Sequence, residues 1–172
     1  MARDNFRRSK PKEDREFEQS VIDISRVTRV VAGGKRMRFR ACVVIGNLKG
    51  KIGMGVKKGA DVSGAVNKAV AVARKDLFEV KTINETIPHR IIEKYKAAKV
   101  LLKPAPKGTG LKAGGPVRMV LELTGIKNVV SKMMGSKNKI NNVKATFQAL
   151  KRLKAPKVYP VKKEIIKEEI KK

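Results

Sequence analysis

The chain has 172 residues and a formal net charge of +27, from 42 Lys and Arg against 15 Asp and Glu. An apolar share of 41% permits a core, but aromatics at 4% and no Trp make that core aliphatic and leave few platforms for base stacking. So strong a positive field weighs against a free enzyme and points to a polyanion, foremost nucleic acid, whose condensed counterions Lys and Arg displace. An anionic membrane is the rival. No apolar run nears the ~20 residues of a span, and no basic helix carries a wide, bulky apolar face.

Residues 1–16 lack apolar periodicity and read as a flexible basic tail; their acids are unlike a transit peptide, and no secretory pattern is present. Residues 21–31, VIDISRVTRVV, are rich in β-branched side chains and predict a strand, with a bulge expected near Arg26. Gly33 and Gly34 mark a turn. Arg36, Arg38 and Arg40 then alternate with Met37, Phe39 and Ala41, so three arginines share one strand face. That row is either merely solvated or binds phosphate; arginines without carboxylates repel one another, which favours phosphate. Residues 42–45 are continuously apolar, predicting cover on both faces. Cys42 there reads as an inert core thiol, consistent with a reducing compartment.

GNLKG at 46–50 is a hairpin turn carrying Lys49. In the third strand Lys51 precedes Ile52, Met54 and Val56, which alternate with Gly53 and Gly55. A face of glycines marks close approach of another backbone, either RNA or a protein element. Lys57 and Lys58 lead into a helix with Asp61 as N-cap and a ladder of Val62, Ala65, Val66, Ala69, Val70, Ala73 and Leu77. Two lysines beside a helix N-terminus make a phosphate site or an ordinary basic turn. Three antiparallel strands plus this helix resemble a double-stranded-RNA-binding domain without its leading helix, a module that reads shape and phosphates.

Residues 78–88 form a connector, with the domain boundary inside 81–86. This divides the chain into domains 17–82 and 83–155. His89 has no evident acid or nucleophile partner and reads as a surface or RNA contact. Residues 87–95 and 98–103 predict a hairpin. Gly108, Gly110, Gly114 and Gly115 make a loop suited to close approach. Pro116 opens a helix that Gly125 ends, with Arg118 facing outward. A strand follows at 128–134, then a capped helix with the stripe Ile140, Val143, Phe147 and Leu150. Residues 156–172 predict a tail or a short, weakly stable helix. Basic residues outnumber acidic ones thirteen to four at 21–80 and seventeen to three at 81–155, so the positive field lies on the folded part. The predicted class is α+β: a three-stranded sheet with a helix, then a β-α-β-α two-layer domain. The candidate RNA-binding residues are Arg26, Arg29, Lys35, Arg36, Arg38, Arg40, Lys49, Lys51, Gly53, Gly55, Lys57, Lys58, Lys132 and Lys137.

A phosphotransferase reading fails on composition. The second half offers only Glu85, Glu93 and Glu122 as Mg²⁺ ligands or base, has no Asp, and lacks a Walker lysine. No catalytic residue, metal site or cofactor is expected. A free double-stranded-RNA chaperone is the other alternative to an assembled ribonucleoprotein; cosedimentation with a large ribonucleoprotein particle separates the two.

Residues 26–34, VVIGNLKGKIGMGVKKG, KGTGLKAGGPVRMVLELTGIKNV and GSKNKINNVKATFQAL together resemble the bacterial small-subunit ribosomal protein S-five family, over about 17–153. The resemblance implies two α/β halves, the second shared with some kinases and chaperone ATPases. It implies a cytoplasmic structural protein of the small ribosomal subunit that binds its rRNA and contacts ribosomal proteins S-four and S-eight. It further implies influence on the path by which mRNA enters and on translational accuracy. By resemblance, residues 28–36 form an RNA-facing hairpin tied to spectinomycin sensitivity, and Gly110 and Arg118, with Gly108 beside them, lie at the S-four boundary. The chain departs from the common loop in having Ala32 before Gly33, where Lys is frequent, with Lys35 following Gly34.

Overall fold

The computed structural model describes residues 17–154, so both expected tails lie outside the described residues. The first strand, β1 (Glu18–Val31), turns at Ala32 and Gly33 into antiparallel β2 (Gly34–Gly46). Gly33 holds φ +84, which a side chain would strain. Next come β3 (Lys51–Gly59), α1 (Val62–Ala73) and a two-residue β4 (Phe78–Glu79), giving the order β1-β2-β3-β4. The second half holds β5 (Ile91–Tyr95), β6 (Ala98–Pro104), β7 (Leu111–Lys112), α2 (Gly115–Thr124), β8 (Val129–Gly135) and α3 (Lys139–Lys151). Its sheet runs β5-β6-β8-β7, with β7 parallel to β8. The fold is α+β as expected. β4 and β7 are the additions, both too short for sequence periodicity to reveal.

The run 42–45 is covered on both faces. Ala41, Val43 and Ile45 pack with Ala65, Ala69 and Ala73 of α1. Cys42 and Val44 point the other way and join a core with Val117, Val120 and Leu121 of α2 and Val143, Phe147 and Leu150 of α3. Val100 and Leu102 of β6 close that core from beyond the helices. The layers are therefore α1, first sheet, α2 with α3, second sheet. Each fully buried Val, Leu or Ile in this stack stabilises by about 1.5–3 kcal/mol relative to exposure. The two sequence halves share one core.

The junction is also hydrogen-bonded. The β2–β3 turn donates Leu48 N–H to Leu123 O (3.1 Å) and Gly50 N–H to Thr124 O (3.0 Å) at the end of α2. Those carbonyls belong to the last turn of a helix, where intrahelical partners run out. Gly125, at φ +84, is the left-handed cap of α2, and its Cα faces Leu48 O too closely for any side chain. The connector is likewise ordered: Lys127 and Asn128 both donate their N–H groups to Glu85 O (3.1 Å each).

Three local expectations need correction. The register shift in β1 falls between Val21 and Asp23, while Arg26 sits in regular register opposite Phe39. The extra residue turns Ile22 into the core, where it is buried. Lys57 and Lys58 belong to β3, opposite Ala41 and Arg40, because pairing with β2 carries the strand to Gly59. Asp61 does occupy the N-cap position of α1, but its side chain makes no capping hydrogen bond.

Candidate nucleic-acid interface

The β1–β2 hairpin positions most of the predicted cations. Residues paired across an antiparallel ladder share a face, so the register sorts the side chains. Arg29 pairs with Arg36, Val27 with Arg38, Ser25 with Arg40, and Arg40 with Lys58. These residues share the face opposite α1. Arg29, Val31, Arg36, Arg38 and Lys58 line a shallow hollow of about 290 Å³ with Val27 and Thr28. Arg40 Nε donates to Ser25 Oγ (3.1 Å), which fixes the inner end of the row. Arg26, Lys35 and Lys57 lie on the other face, with the exposed apolar side chains of Ile24, Val30 and Met37.

The electrostatics of this face are uncompensated. Arg29 and Arg36 stand directly opposite each other, an arrangement that destabilises an isolated ladder. The ion pairs among the described residues use Arg118, Lys127, Lys139, Lys151 and Arg152, and none uses a hairpin cation. What the arrangement can do chemically is hold several anionic groups in a row.

The other predicted residues do not all join this patch. Lys49 and Lys51 are exposed at the opposite end of β2, roughly 33 Å of strand from Arg36. Asn47 Oδ1 accepts from both their N–H groups (2.9 Å each) and so shapes their turn. Gly53 and Gly55 are corrected: both are buried beneath α1, where a Cβ would run into Ala73 O and Ala69 O. The approaching backbone is the helix, not RNA. Lys132 is exposed on the second sheet, and Lys137 is exposed in the turn before α3.

Gly108 and Gly110 adopt φ +89 and +70, with open space around both. Gly110 N–H donates to Asn128 Oδ1 (3.1 Å), so the loop is pinned to the start of β8. Asn128, 5% exposed, is a positioning residue that sequence reasoning missed; a polar side chain at an apolar strand start was its only signal. Arg118 points outward and pairs with Glu122 one turn on (2.7 Å).

Titratable groups elsewhere have structural surroundings. Burial pushes the Cys42 thiol up to about 11, with the Asp23 charge adding to it. A hydrogen bond from Lys127, then its charge, holds Glu85 below the usual carboxylate range. His89 Nε2 accepts the Lys154 N–H (3.2 Å). Among the described residues no group of three or more His, Cys, Asp or Glu side chains is placed to hold a metal. No described helix is long and apolar enough to cross a membrane.

Two family models match the chain, described as Ribosomal protein S5, N-terminal domain, over residues 17–81, and Ribosomal protein S5, C-terminal domain, over residues 93–165. Among similar proteins, the small ribosomal subunit protein uS5 of Thermotoga neapolitana is 45% identical over 155 residues, 90% of this chain and 87% of the relative. The protein of the same name from Campylobacter jejuni is 50% identical over 139 residues, 81% of this chain and 95% of the relative.

Proposed function

The chain belongs to the ribosomal protein S5 family, and from that premise we propose how it serves the small ribosomal subunit as a structural, non-enzymatic protein. The hairpin face of Arg29, Arg36, Arg38, Arg40 and Lys58 neutralises phosphates of the small-subunit rRNA. The observation that carries this is the direct opposition of Arg29 and Arg36 with no carboxylate nearby: the pair costs stability alone and gains it beside a polyanion. Arg26 and Lys35, on the reverse face, extend the contact around the hairpin tip. Lys49, Lys51, Lys57, Lys132 and Lys137 lie too dispersed to join it and serve separate phosphate contacts.

The loop at 108–110 and Arg118 form the contact to the neighbouring protein S-four, with S-eight as the second protein neighbour. Through that contact the chain shapes the path by which mRNA enters and tunes accuracy. Support comes from the open space around both glycines, the outward Arg118 and the pinning of the loop by Asn128. On this reading the division at 81–86 is one of emphasis across one shared core: the first half carries the main RNA face, and the second half carries the protein contacts alongside the separate phosphate contacts of Lys132 and Lys137.

The test is sedimentation of cell extracts at moderate salt. The protein is expected with the small subunit. Nearly all copies running free would favour the chaperone alternative and defeat this reading. For the loop, Gly110→Arg is expected to incorporate normally yet alter misreading; unchanged misreading would remove the S-four assignment.

A further inference from the structure

The connector between the two halves closes on itself and then grips the loop that follows β6. Ile83 and Thr86 exchange both backbone hydrogen bonds, Ile83 N–H to Thr86 O (2.9 Å) and Thr86 N–H to Ile83 O (2.8 Å). The two residues between them, Asn84 and Glu85, hold φ +45 and +66, as a two-residue turn with left-handed centre requires. Asparagine takes that conformation readily; glutamate does not. Glu85 is held there by what it binds. Its carbonyl accepts the N–H groups of Lys127 and Asn128, and its carboxylate accepts from Lys127 Nζ (2.6 Å). Backbone strain persists where the surroundings over-determine it, and here those ties fix the entry to β8.

Thr86 carries that geometry outward. A hydroxyl has one proton to donate and lone pairs with which to accept. The Thr86 hydroxyl donates to Asn128 O (2.5 Å) and accepts the Ala105 N–H (3.3 Å). Ala105, the first residue after β6, opens the loop. Gly110 closes it, donating its N–H to Asn128 Oδ1 (3.1 Å) and accepting the Val129 N–H (3.3 Å). Both ends of 105–110 are therefore held by the side chains of Thr86 and Asn128, and the Thr86 hydroxyl joins the two. Ala105 and Asn128 are buried, whereas Pro106, Lys107 and Gly108 are exposed. Open space surrounds Gly108 and Gly110, so the loop takes its shape from its ends and not from packing on its outer side.

We propose that Thr86, a residue of the connector, is the positioning residue of the protein-facing loop 105–110, and that its hydroxyl sets how Gly108 and Gly110 are presented to the neighbouring protein. This rests on the reading of that loop as a protein contact. Removing the hydroxyl leaves the Ala105 N–H without its acceptor and Asn128 O without that donor. The core is untouched, since Thr86 is not part of it. What is lost is the fixed separation and orientation of the two ends of the loop.

The test compares Thr86→Val, which keeps the shape and removes the hydroxyl, with Thr86→Ser, which keeps the hydroxyl. Arg152→Ala, which takes the partner from Glu93, destabilises the fold elsewhere and serves as control. In the full chain, amide hydrogen exchange at Ala105 and Gly110 is expected to be about 2–10-fold faster in Thr86→Val, the effect of one net hydrogen bond, and close to the parent's in Thr86→Ser. Small subunits carrying Thr86→Val are expected to alter misreading in the same direction as those carrying Gly110→Arg, with Thr86→Ser and Arg152→Ala at the parent's level. If Gly110→Arg alters misreading and Thr86→Val does not, Thr86 does not position the contact, while the loop reading stands. If neither does, the loop reading falls and takes this one with it. Equal misreading by Thr86→Val and Arg152→Ala would trace the effect to lost stability. A Thr86→Ser that misreads like Thr86→Val would take it away from the hydroxyl. Either result overturns the proposal.

Discussion

Replacing Gly55 by Ala tests whether the glycine face of β3 serves the helix or the ligand. A Cβ built on Gly55 overlaps Ala69 O and lies 2.8 Å from Ala69 C and 3.0 Å from Ala73 N. All three are helix backbone atoms, so no flexible tip can swing aside. Restoring ordinary contact requires α1 to lift by about 1 Å, and a gap of that size forfeits a quarter to a half of each dispersion contact it opens. The affected cluster contains Ala41, Val43, Ile45, Ala65, Ala69 and Ala73, all essentially inaccessible. The expected cost is about 2–4 kcal/mol, at or just above the usual range for overpacking. For a chain of this size it lowers Tm by about 6–12 °C. Gly64→Ala is the control, because it sits inside α1 with nothing within 4 Å of its Cβ. It is expected to stabilise by about 0.5–1 kcal/mol. Circular dichroism melts of both variants, with rRNA affinity measured on folded protein, decide the matter. Gly55→Ala melting like the parent but binding RNA more weakly would refute the packing account.

The shared core predicts that the full chain unfolds in one transition, followed by denaturant and two probes. A fragment of residues 17–82 alone is expected to bind dyes specific for exposed apolar surface, since Cys42, Val44 and Ile52 lose their cover. Arg152→Ala leaves the buried Glu93 carboxylate without its cation; because the arginine side chain is itself largely exposed, the expected loss is about 1–2 kcal/mol by urea titration. The Cys42 thiol is expected to react with alkylating reagents at pH 8 at least about 100-fold more slowly in the folded protein than in urea, as its pKa rises from 9.0 to about 11. Since the unfolded thiol ionises from about pH 9 while the folded one stays neutral, that group's stabilising contribution falls as pH rises from 9 towards 11.

The long elements were legible because their periodicities are strong. Alternation at 36–41 defined β2, the Val62–Ala73 part of the ladder defined α1, which stops short of the expected Leu77, and Pro116 and Gly125 bracketed α2. The continuous run at 42–45 correctly announced cover on both faces, but not by which elements, since α2 and α3 come from about 70 to 110 positions away in the chain. Gly53 and Gly55 were ambiguous read alone. Read with Ala65, Ala69 and Ala73, they form a pair of small-residue surfaces that allows a helix to lie directly on a strand. Lys57 and Lys58 looked like a turn because Gly59 follows them; ladder pairing with Arg40 and Ala41 outweighs that local signal. Among the site residues, sequence reasoning found the cationic row of β2 but could not join Arg29 and Lys58 to it, because only the cross-strand register does so. It equally could not separate Lys49 and Lys51, near in sequence and far in space.

The salt dependence of rRNA binding by the variant Arg29→Gln, Arg36→Gln, Arg38→Gln is the most direct test of the hairpin as the phosphate-binding face. Loss of three phosphate contacts is expected to flatten the slope of log affinity against log salt by about 2–3. Tm is expected to stay level or rise as the Arg29–Arg36 opposition is relieved. A slope equal to the parent's, in a variant that melts normally, would contradict the account.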